Sequence, residues 1–138
     1  MTNFKGTREA FAAAMMDMAE ERKDIVVISP DSLKAMRAVP FGEKYPDRYL
    51  ECGIAEQGAV DAAAGLASAG LTPFIGTYCG FLTMRACEQM RTFVGYTNLN
   101  VKFIGVNAGL LGGEREGVTH QFYEDLGIIS SMPNYTIF

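Results

Sequence analysis

Hydrophobic and polar residues are distributed along the chain in a pattern that predicts helices and buried strands in turn. After Thr7, a plausible N-cap, apolar residues recur at helical spacing and predict a helix with one buried stripe, formed by Phe11, Met15, Met18 and Ala19. A charged stretch follows, and residues 25–28 are then a continuous β-branched run. Such a run is typical of a strand that is buried on both faces, as in a parallel sheet.

Further strands are predicted in the rest of the chain. Extended runs at 49–52, 74–77 and 101–106 have the length and composition of strands, and residues 70–73 carry the glycine and proline of a turn. Residues 136–138 look like the first residues of another strand.

Helices are predicted between these strands. Residues 55–69 form a helix of mostly small residues with few charges, so most of its circumference can be buried. Another helix is predicted from Tyr78 to about Val94, with a buried stripe of Leu82, Ala86, Met90 and Phe93. Helices that alternate with buried strands favour the α/β class. We therefore expect a single three-layer domain over residues 1–138, with a mostly parallel sheet flanked by helices.

Composition and charge narrow the choice of functions. The chain has 138 residues, 49% of them hydrophobic, and its net charge of −4 gives no electrostatic reason to expect nucleic-acid or anionic-membrane binding. No apolar run is long enough to span a bilayer. The three cysteines lack metal-ligand spacing and lie in apolar segments, so we expect them to be small buried residues of a cytoplasmic protein.

Two acidic residues follow predicted strands. Asp31 comes directly after the strand at 25–28, and Glu56 lies in the first turn of the small-residue helix, just beyond the strand at 49–52. In open α/β sheets, ligands bind at the carboxyl ends of the strands. An aspartate in a turn and a glutamate in a first helical turn also have ordinary structural explanations, because both positions favour acidic residues.

Other candidate residues lie at a strand-to-helix corner and in a glycine-rich run. Tyr78 and Phe81 occupy the corner, where aromatic residues more often belong to the core than to a site. The run at 109–121 includes Glu116 and the only histidine of the sequence, His120. It lacks the lysine and hydroxyl residue of a P-loop and has no dinucleotide-binding fingerprint.

Several motifs together resemble one enzyme family. Gly-Ile-Ala-Glu-Gln at 53–57 resembles the signature of the transketolase group of thiamine-diphosphate enzymes, at the start of the pyrimidine-binding domain. Tyr-Pro-Asp-Arg-Tyr at 45–49, Thr-His-Gln at 119–121 and Met-Pro-Asn at 132–134 match the same family in the same order. The glycine-rich run is similar to the family's GEDGPTHQ loop, with Glu116 for the aspartate and Val118 for the proline. The resemblance implies the thiamine-diphosphate-binding fold.

The resemblance also implies a role for each candidate residue. Glu56 would hydrogen-bond to the ring nitrogen N1′ of the aminopyrimidine, and Tyr78 and Phe81 would pack on that ring. Asp31 would line the cofactor site. His120 would act at the substrate end of the channel, in polar contacts or proton handling, and Glu116 would contact substrate there. Glu56 and His120 are thus the expected catalytic residues.

The family also implies a partner. The sequence contains no Gly-Asp-Gly followed some distance later by Asn, the pattern with which these enzymes bind Mg²⁺ and the diphosphate. We therefore expect a diphosphate-binding domain or subunit to hold Mg²⁺, in a homo-oligomer or hetero-oligomer. The isolated chain is expected to be inactive.

The expected reaction is transfer of a two-carbon ketol unit between phosphorylated sugars, as in a split transketolase. One alternative is an enzyme of the deoxyxylulose-phosphate-synthase type, which Ala-Gly-Leu at 108–110 favours, whereas Gln121 and the Glu-Asp pair at 124–125 favour transketolase. Another is a non-catalytic assembly domain that kept the fold.

Overall fold

The chain folds as a four-stranded parallel sheet with helices on both faces. The computed structural model describes residues 6–110 and 115–138. In chain order the elements are α1 (Thr7–Glu21), β1 (Ile25–Ser29), α2 (Val39–Lys44), β2 (Tyr49–Glu51), α3 (Glu56–Ser68), β3 (Thr72–Tyr78), the segmented helix α4 over residues 81–95, β4 (Lys102–Val106) and α5 (Asp125–Ser130). Short 3₁₀ turns precede β2 at Pro46–Arg48 and α5 at Val118–His120.

The order of the strands in the sheet is β2-β1-β3-β4, and every pair is parallel. Side chains alternate along β1, so that Ile25 and Val27 pack in one core with α1 and α2, whereas Ile28 packs in a second core with α3 and α4. All five residues of β1 are buried, because it lies inside the sheet and is covered on both faces. These observations confirm the expected α/β class and its three layers.

The first helix is confirmed, with two errors of detail. Its N-cap is Gly6, and Thr7 is its first helical residue, without a side-chain capping hydrogen bond. Met18 is 39% exposed, whereas Ala12, Met15 and Ala19 are buried. A four-residue spacing from Met15 to Ala19 keeps the stripe on one face, while Met18 lies at the edge of the interface.

Helix α4 differs most from its prediction. It is a π-helix over Phe81–Arg85, an α-helical turn over Cys87–Gln89 and a π-helix again over Met90–Gly95. The i→i+5 hydrogen bonds of a π-helix allow more than four residues per turn, so residues four apart stay on one face. The buried stripe is therefore Leu82, Ala86, Met90 and Val94, and Phe93, which was expected in it, is 45% exposed.

Strand β3 begins two residues earlier than predicted, inside the segment expected to be a turn. The Thr72 amide donates to the Asp24 carbonyl, and this bond starts the pairing before Pro73. At the other end of the chain, residues 136–138 form no strand, contrary to the prediction. The three cysteines are free and only partly buried.

A polar cluster fixes the junction between α1, β1 and β3. Arg22 and the Thr72 hydroxyl both donate to the Asp24 carboxylate, with Thr72 Oγ1 at 2.7 Å from Oδ2. These hydrogen bonds lower the pKa of Asp24 from 3.8 to about 2. The carboxylate form is therefore the one that stabilises the fold.

We expect Asp24→Asn to remove a stabilisation that depends on pH. Because the folded-state pKa lies below the unfolded one, the contribution is complete above about pH 4 and is lost as the pH falls towards about 2. The difference in free energy of unfolding between the variant and the parent, measured by urea denaturation, should shrink over that interval. Asp17→Asn, at an exposed position on α1 where the described residues offer no hydrogen-bond partner, is the control. A difference that is the same at pH 7 and pH 2 would contradict this account.

Candidate functional site

The carboxyl ends of β1, β2 and β3 lie at one edge of the sheet, because the strands are parallel. Strand β2 pairs with one edge of β1, and β3, which comes later in the chain, pairs with the opposite edge. The strand order therefore reverses between β1 and β3. The Ser32 and Thr77 hydroxyls lie 2.7 Å apart in a buried hydrogen bond that joins these two strand ends. Such a reversal is where open α/β sheets bind ligands.

Glu56 is the first residue of α3 and is buried, with 6% of its surface exposed. Gly53, with φ of 65°, supplies the left-handed conformation in the short turn between β2 and the helix. The helix N-terminus favours a negative charge at this position. A carboxylate so buried nevertheless needs a close partner, since an unpaired buried charge is strongly destabilising.

Arg85 is that partner. Its Nη1 donates to Glu56 Oε1 at 2.9 Å, and its guanidinium carbon lies 3.8 Å from the centre of the Phe81 ring. Arg85 is the last residue of the first π-helical segment, four residues after Phe81, so both side chains emerge on one face of α4. No motif in the sequence includes Arg85, and its spacing of four residues from Phe81 was the available signal.

The predicted aromatic residues form one cluster with the histidine. The rings of Tyr78 and Phe81 have centroids 5.5 Å apart. The His120 ring meets Tyr78 edge-on at 4.6 Å and Phe81 edge-on at 4.9 Å. His120 Nδ1 lies 3.0 Å from Thr119 Oγ1. The structure thus brings Tyr78, Phe81 and His120 together, and Arg85 connects them to Glu56.

Buried contacts hold the loop that carries His120. The Phe122 amide donates to the Gly109 carbonyl at 3.0 Å, and its ring packs against Phe81 with centroids 5.8 Å apart. The buried Asp125 carboxylate accepts the Gly109 amide. Burial, together with the charge of Asp125, raises the pKa of the Cys79 thiol to about 12. The loop is therefore held by the Asp125 carboxylate and by the packing of the Phe122 ring.

Asp31 and Glu116 are not part of the aromatic cluster. Asp31 follows β1, is exposed and has a φ of 55°, and Glu116 is exposed in the turn before the Val118–His120 segment. Neither side chain makes a hydrogen bond or ion pair with another described residue. Residues 111–114 of the glycine-rich run lie outside the described residues. The roles expected for Asp31 and Glu116 stay predictions.

Glu51 is a residue of this edge that the sequence did not indicate. Its Oε1 accepts the Asp31 amide at 2.7 Å and the Gly53 amide at 2.9 Å, and its Oε2 accepts the Tyr49 hydroxyl. Burial raises the pKa of Glu51, but these hydrogen bonds outweigh burial and leave the pKa below its ordinary value. The Glu51 carboxylate thus joins the turns after β1 and β2, and no motif in the sequence indicates this role.

Glu56 keeps one carboxylate oxygen that could accept a hydrogen bond from a ligand. Arg85 occupies Oε1 of Glu56, and Oε2 has no hydrogen-bond partner among the described residues. Arg85, which pairs with Oε1, lies over the Phe81 ring, and the Phe81 ring packs with Tyr78. Within residues 6–110 and 115–138, no three His, Cys, Asp or Glu side chains converge as metal ligands would. None of the helices in this part of the chain has the length and apolar character needed to cross a membrane.

Comparison with known proteins identifies the family. The family model described as the transketolase pyrimidine-binding domain matches residues 5–138. The chain belongs to this family. This domain is 32% identical over 134 residues to the putative transketolase C-terminal section of Methanocaldococcus jannaschii. The aligned region covers 97% of this chain and 42% of that protein.

Other relatives of this pyrimidine-binding domain differ in assigned activity. It is 42% identical over 127 residues to the 1-deoxy-D-xylulose-5-phosphate synthase of Brevibacillus brevis, covering 92% of this chain and 20% of the relative. A solved structure described as a split gene transketolase, an inactive β4 tetramer, superposes with a TM-score of 0.77 at 35% identity and covers 93% of this chain and 40% of that one. The chain therefore spans less than half of the relatives that it matches.

We expect Gly80→Ala to loosen the loop of His120. A Cβ atom at Gly80 would lie 2.0 Å from Phe122 Cδ1, and the ring is buried against Phe81 and cannot move freely. Overpacking of this kind costs about 1–3 kcal/mol of folding free energy, measurable by urea denaturation.

Gly65→Ala is the matched control, because a Cβ there meets no atom within 4 Å and an alanine inside α3 should be neutral or stabilising. The double variant Gly80→Ala/Phe122→Leu should recover part of the loss. Equal stability of Gly80→Ala and the parent would show that the Phe122 ring is not confined.

Proposed function

We propose that this domain is the pyrimidine-binding part of a thiamine-diphosphate-dependent transketolase that transfers a two-carbon ketol unit between phosphorylated sugars. Thiamine diphosphate, when bound, supplies carbanion chemistry at its thiazolium C2. The observation that carries the proposal is a buried Glu56 at the helix N-terminus, connected through Arg85 to the cluster of Tyr78, Phe81 and His120. Glu56, Tyr78, Phe81 and His120 are residues to which the family resemblance assigns roles, whereas Arg85 is not.

Glu56 would hydrogen-bond through Oε2 to the ring nitrogen N1′ of the aminopyrimidine. The carboxylate is nearly excluded from solvent, so this hydrogen bond would be stronger than one made in water. The backbone sets its position at the first residue of α3, and Arg85 holds its Oε1. Glu56 would thus share a proton with N1′ across this hydrogen bond.

The aromatic cluster would orient the ring and the substrate. Tyr78 and Phe81 would pack on the aminopyrimidine, because offset or edge contacts between flat rings add about 0.5–1.5 kcal/mol beyond burial. His120 Nδ1 is taken by Thr119, so Nε2 would face the substrate for polar contacts or proton transfer. Asp31 would line the cofactor site from the end of β1, and Glu116 would contact substrate from the loop before His120.

A diphosphate-binding domain or subunit would complete the site and hold Mg²⁺. Large apolar side chains beside the site residues are exposed, with Ile54 at 76%, Val118 at 81% and Tyr123 at 78%. Exposed apolar groups that adjoin a site mark a surface that another polypeptide covers. The match of 97% of this chain to part of a protein named as a putative transketolase C-terminal section supports the same arrangement. We infer an oligomer with sugar phosphates as substrates, in the cytoplasm.

A second candidate function is part of an enzyme of the deoxyxylulose-phosphate-synthase type, favoured by the 42% identity to the Brevibacillus brevis relative. Product analysis separates the two. The complete enzyme is given pyruvate with glyceraldehyde phosphate, or xylulose phosphate with an aldose phosphate. Transketolase activity requires product only from the second pair, and product only from the first pair would establish the alternative.

We expect Glu56→Ala in the complete enzyme to slow replacement of the C2 hydrogen of bound thiamine diphosphate by deuterium about 10²- to 10⁴-fold, the usual loss when a group that handles a proton is removed. Cofactor affinity should change far less, because the aromatic contacts remain. Glu88→Ala, at an exposed position on α4, is the control and should exchange at the parent rate. Unchanged exchange in Glu56→Ala would refute the proposed function.

The isolated chain should bind thiamine diphosphate weakly and should not turn over sugars. The sequence lacks the Gly-Asp-Gly followed by Asn with which the family binds Mg²⁺, so the diphosphate would be left without the metal. Isothermal titration of the chain with cofactor and Mg²⁺, before and after addition of the diphosphate-binding chain, measures the difference. Tight binding before that addition would be the contrary result.

A further inference from the structure

Arg85 contacts both Glu56 and the aromatic cluster of Tyr78, Phe81 and His120. Its guanidinium donates to Glu56 Oε1 at 2.9 Å and stacks at 3.8 Å over the ring of Phe81, which in turn meets His120. It also lines a surface pocket together with residues 54–58, which span the turn before α3 and its first three residues, including Glu56. None of the family motifs in the sequence includes Arg85.

The ion pair is asymmetric in its exposure. The Glu56 side chain is 7% exposed, whereas the Arg85 side chain is 47% exposed. The buried carboxylate therefore depends on the arginine for its charge partner, while the arginine remains partly hydrated. Removing the cation would leave a buried charge without compensation, and such a group reorients towards water or becomes neutral.

The planar guanidinium constrains the carboxylate more than a point charge would. The guanidinium carbon lies 3.8 Å from the centre of the Phe81 ring, and a planar group held this close to a ring has restricted freedom to turn its N–H groups. One of them engages Oε1, and Oε2 of Glu56 has no hydrogen-bond partner among the described residues. An ammonium at the same place could pair with either oxygen and would not stack in this way.

We propose that Arg85 is a positioning residue: clamped on Phe81, it holds Oε1 of Glu56 so that Oε2 is presented to the ring nitrogen of the cofactor's aminopyrimidine. This inference rests on the proposed function. Arg85 itself does not contact the reacting atoms. It sets the direction of the carboxylate and ties that direction to the position of the aromatic cluster.

The test is a double-variant cycle in the complete two-part enzyme, with Arg85→Gln, Glu56→Gln and the pair of them together. Arg85→Gln should slow replacement of the C2 hydrogen of bound thiamine diphosphate about tenfold to a hundredfold, as expected when a hydrogen bond to a charged group is lost. The dissociation constant of the cofactor should change no more than about threefold, because Arg85 in this role directs the Glu56 carboxylate and does not itself contact the reacting atoms. In the Glu56→Gln background, Arg85→Gln should add less than about a twofold effect, because it acts through Glu56.

Two further variants separate positioning from stability. Arg85→Lys keeps the charge but not the stacked plane, so it should recover part of the exchange rate. Arg91→Gln, at an exposed site on the same helix, should behave as the parent enzyme. A merely structural role predicts equal losses in both Glu56 backgrounds and no rescue by lysine, and that result would overturn the inference.

The cycle also distinguishes this inference from the proposed function. If Glu56→Gln leaves the exchange rate unchanged, the proposed function fails and the role of Arg85 fails with it. If Glu56→Gln slows exchange but Arg85→Gln does not, only the positioning role is overturned. A slow Arg85→Gln enzyme with an additive double variant would likewise reject it.

Discussion

A carboxylate buried at the edge of a parallel sheet needs compensation, and much of this site is arranged around that need. Glu56 obtains it from the N-terminus of α3 and from Arg85, which reaches across from α4. Helices α3 and α4 pack on the same face of the sheet and contribute to one core. The ion pair joins these two helices. The aromatic cluster is connected to it through the guanidinium on Phe81. The position of the acid and the position of the rings are therefore not independent.

The unusual winding of α4 contributes to this arrangement. A π-helical turn is wider than an α-helical one and is often found at functional sites. Here the first π-helical segment starts with Phe81 and ends with Arg85, and its buried side also carries Leu82 and Thr83 into the core. The helix thus anchors itself by one face while the residues of the site leave from another. The five residues of this segment therefore supply both buried core side chains and two side chains of the candidate site.

The loop of His120 is positioned by packing more than by regular structure. Gly80 leaves room for the Phe122 ring, and Asp125 holds the Gly109 amide from the start of α5. The histidine therefore stands against Tyr78 although they are far apart in sequence. On the neighbouring side, Glu51 joins the turns after β1 and β2. The Asp125 carboxylate is buried, and a hydrogen bond at a buried polar group is costly to leave unmade.

The sequence by itself determined the alternation of helices and strands, the buried β1, and the placement of Asp31, Glu56, Tyr78 and Phe81 at strand ends. Periodicity and β-branched runs are local signals, and parallel pairing then follows from the helical crossovers. The family motifs pointed to the same residues. Only the tertiary structure decided that Arg85 pairs with Glu56, that Glu51 joins two turns and that Val94 rather than Phe93 enters the core. Those outcomes depend on helix winding and on contacts between distant segments, which residue spacing along one element does not encode.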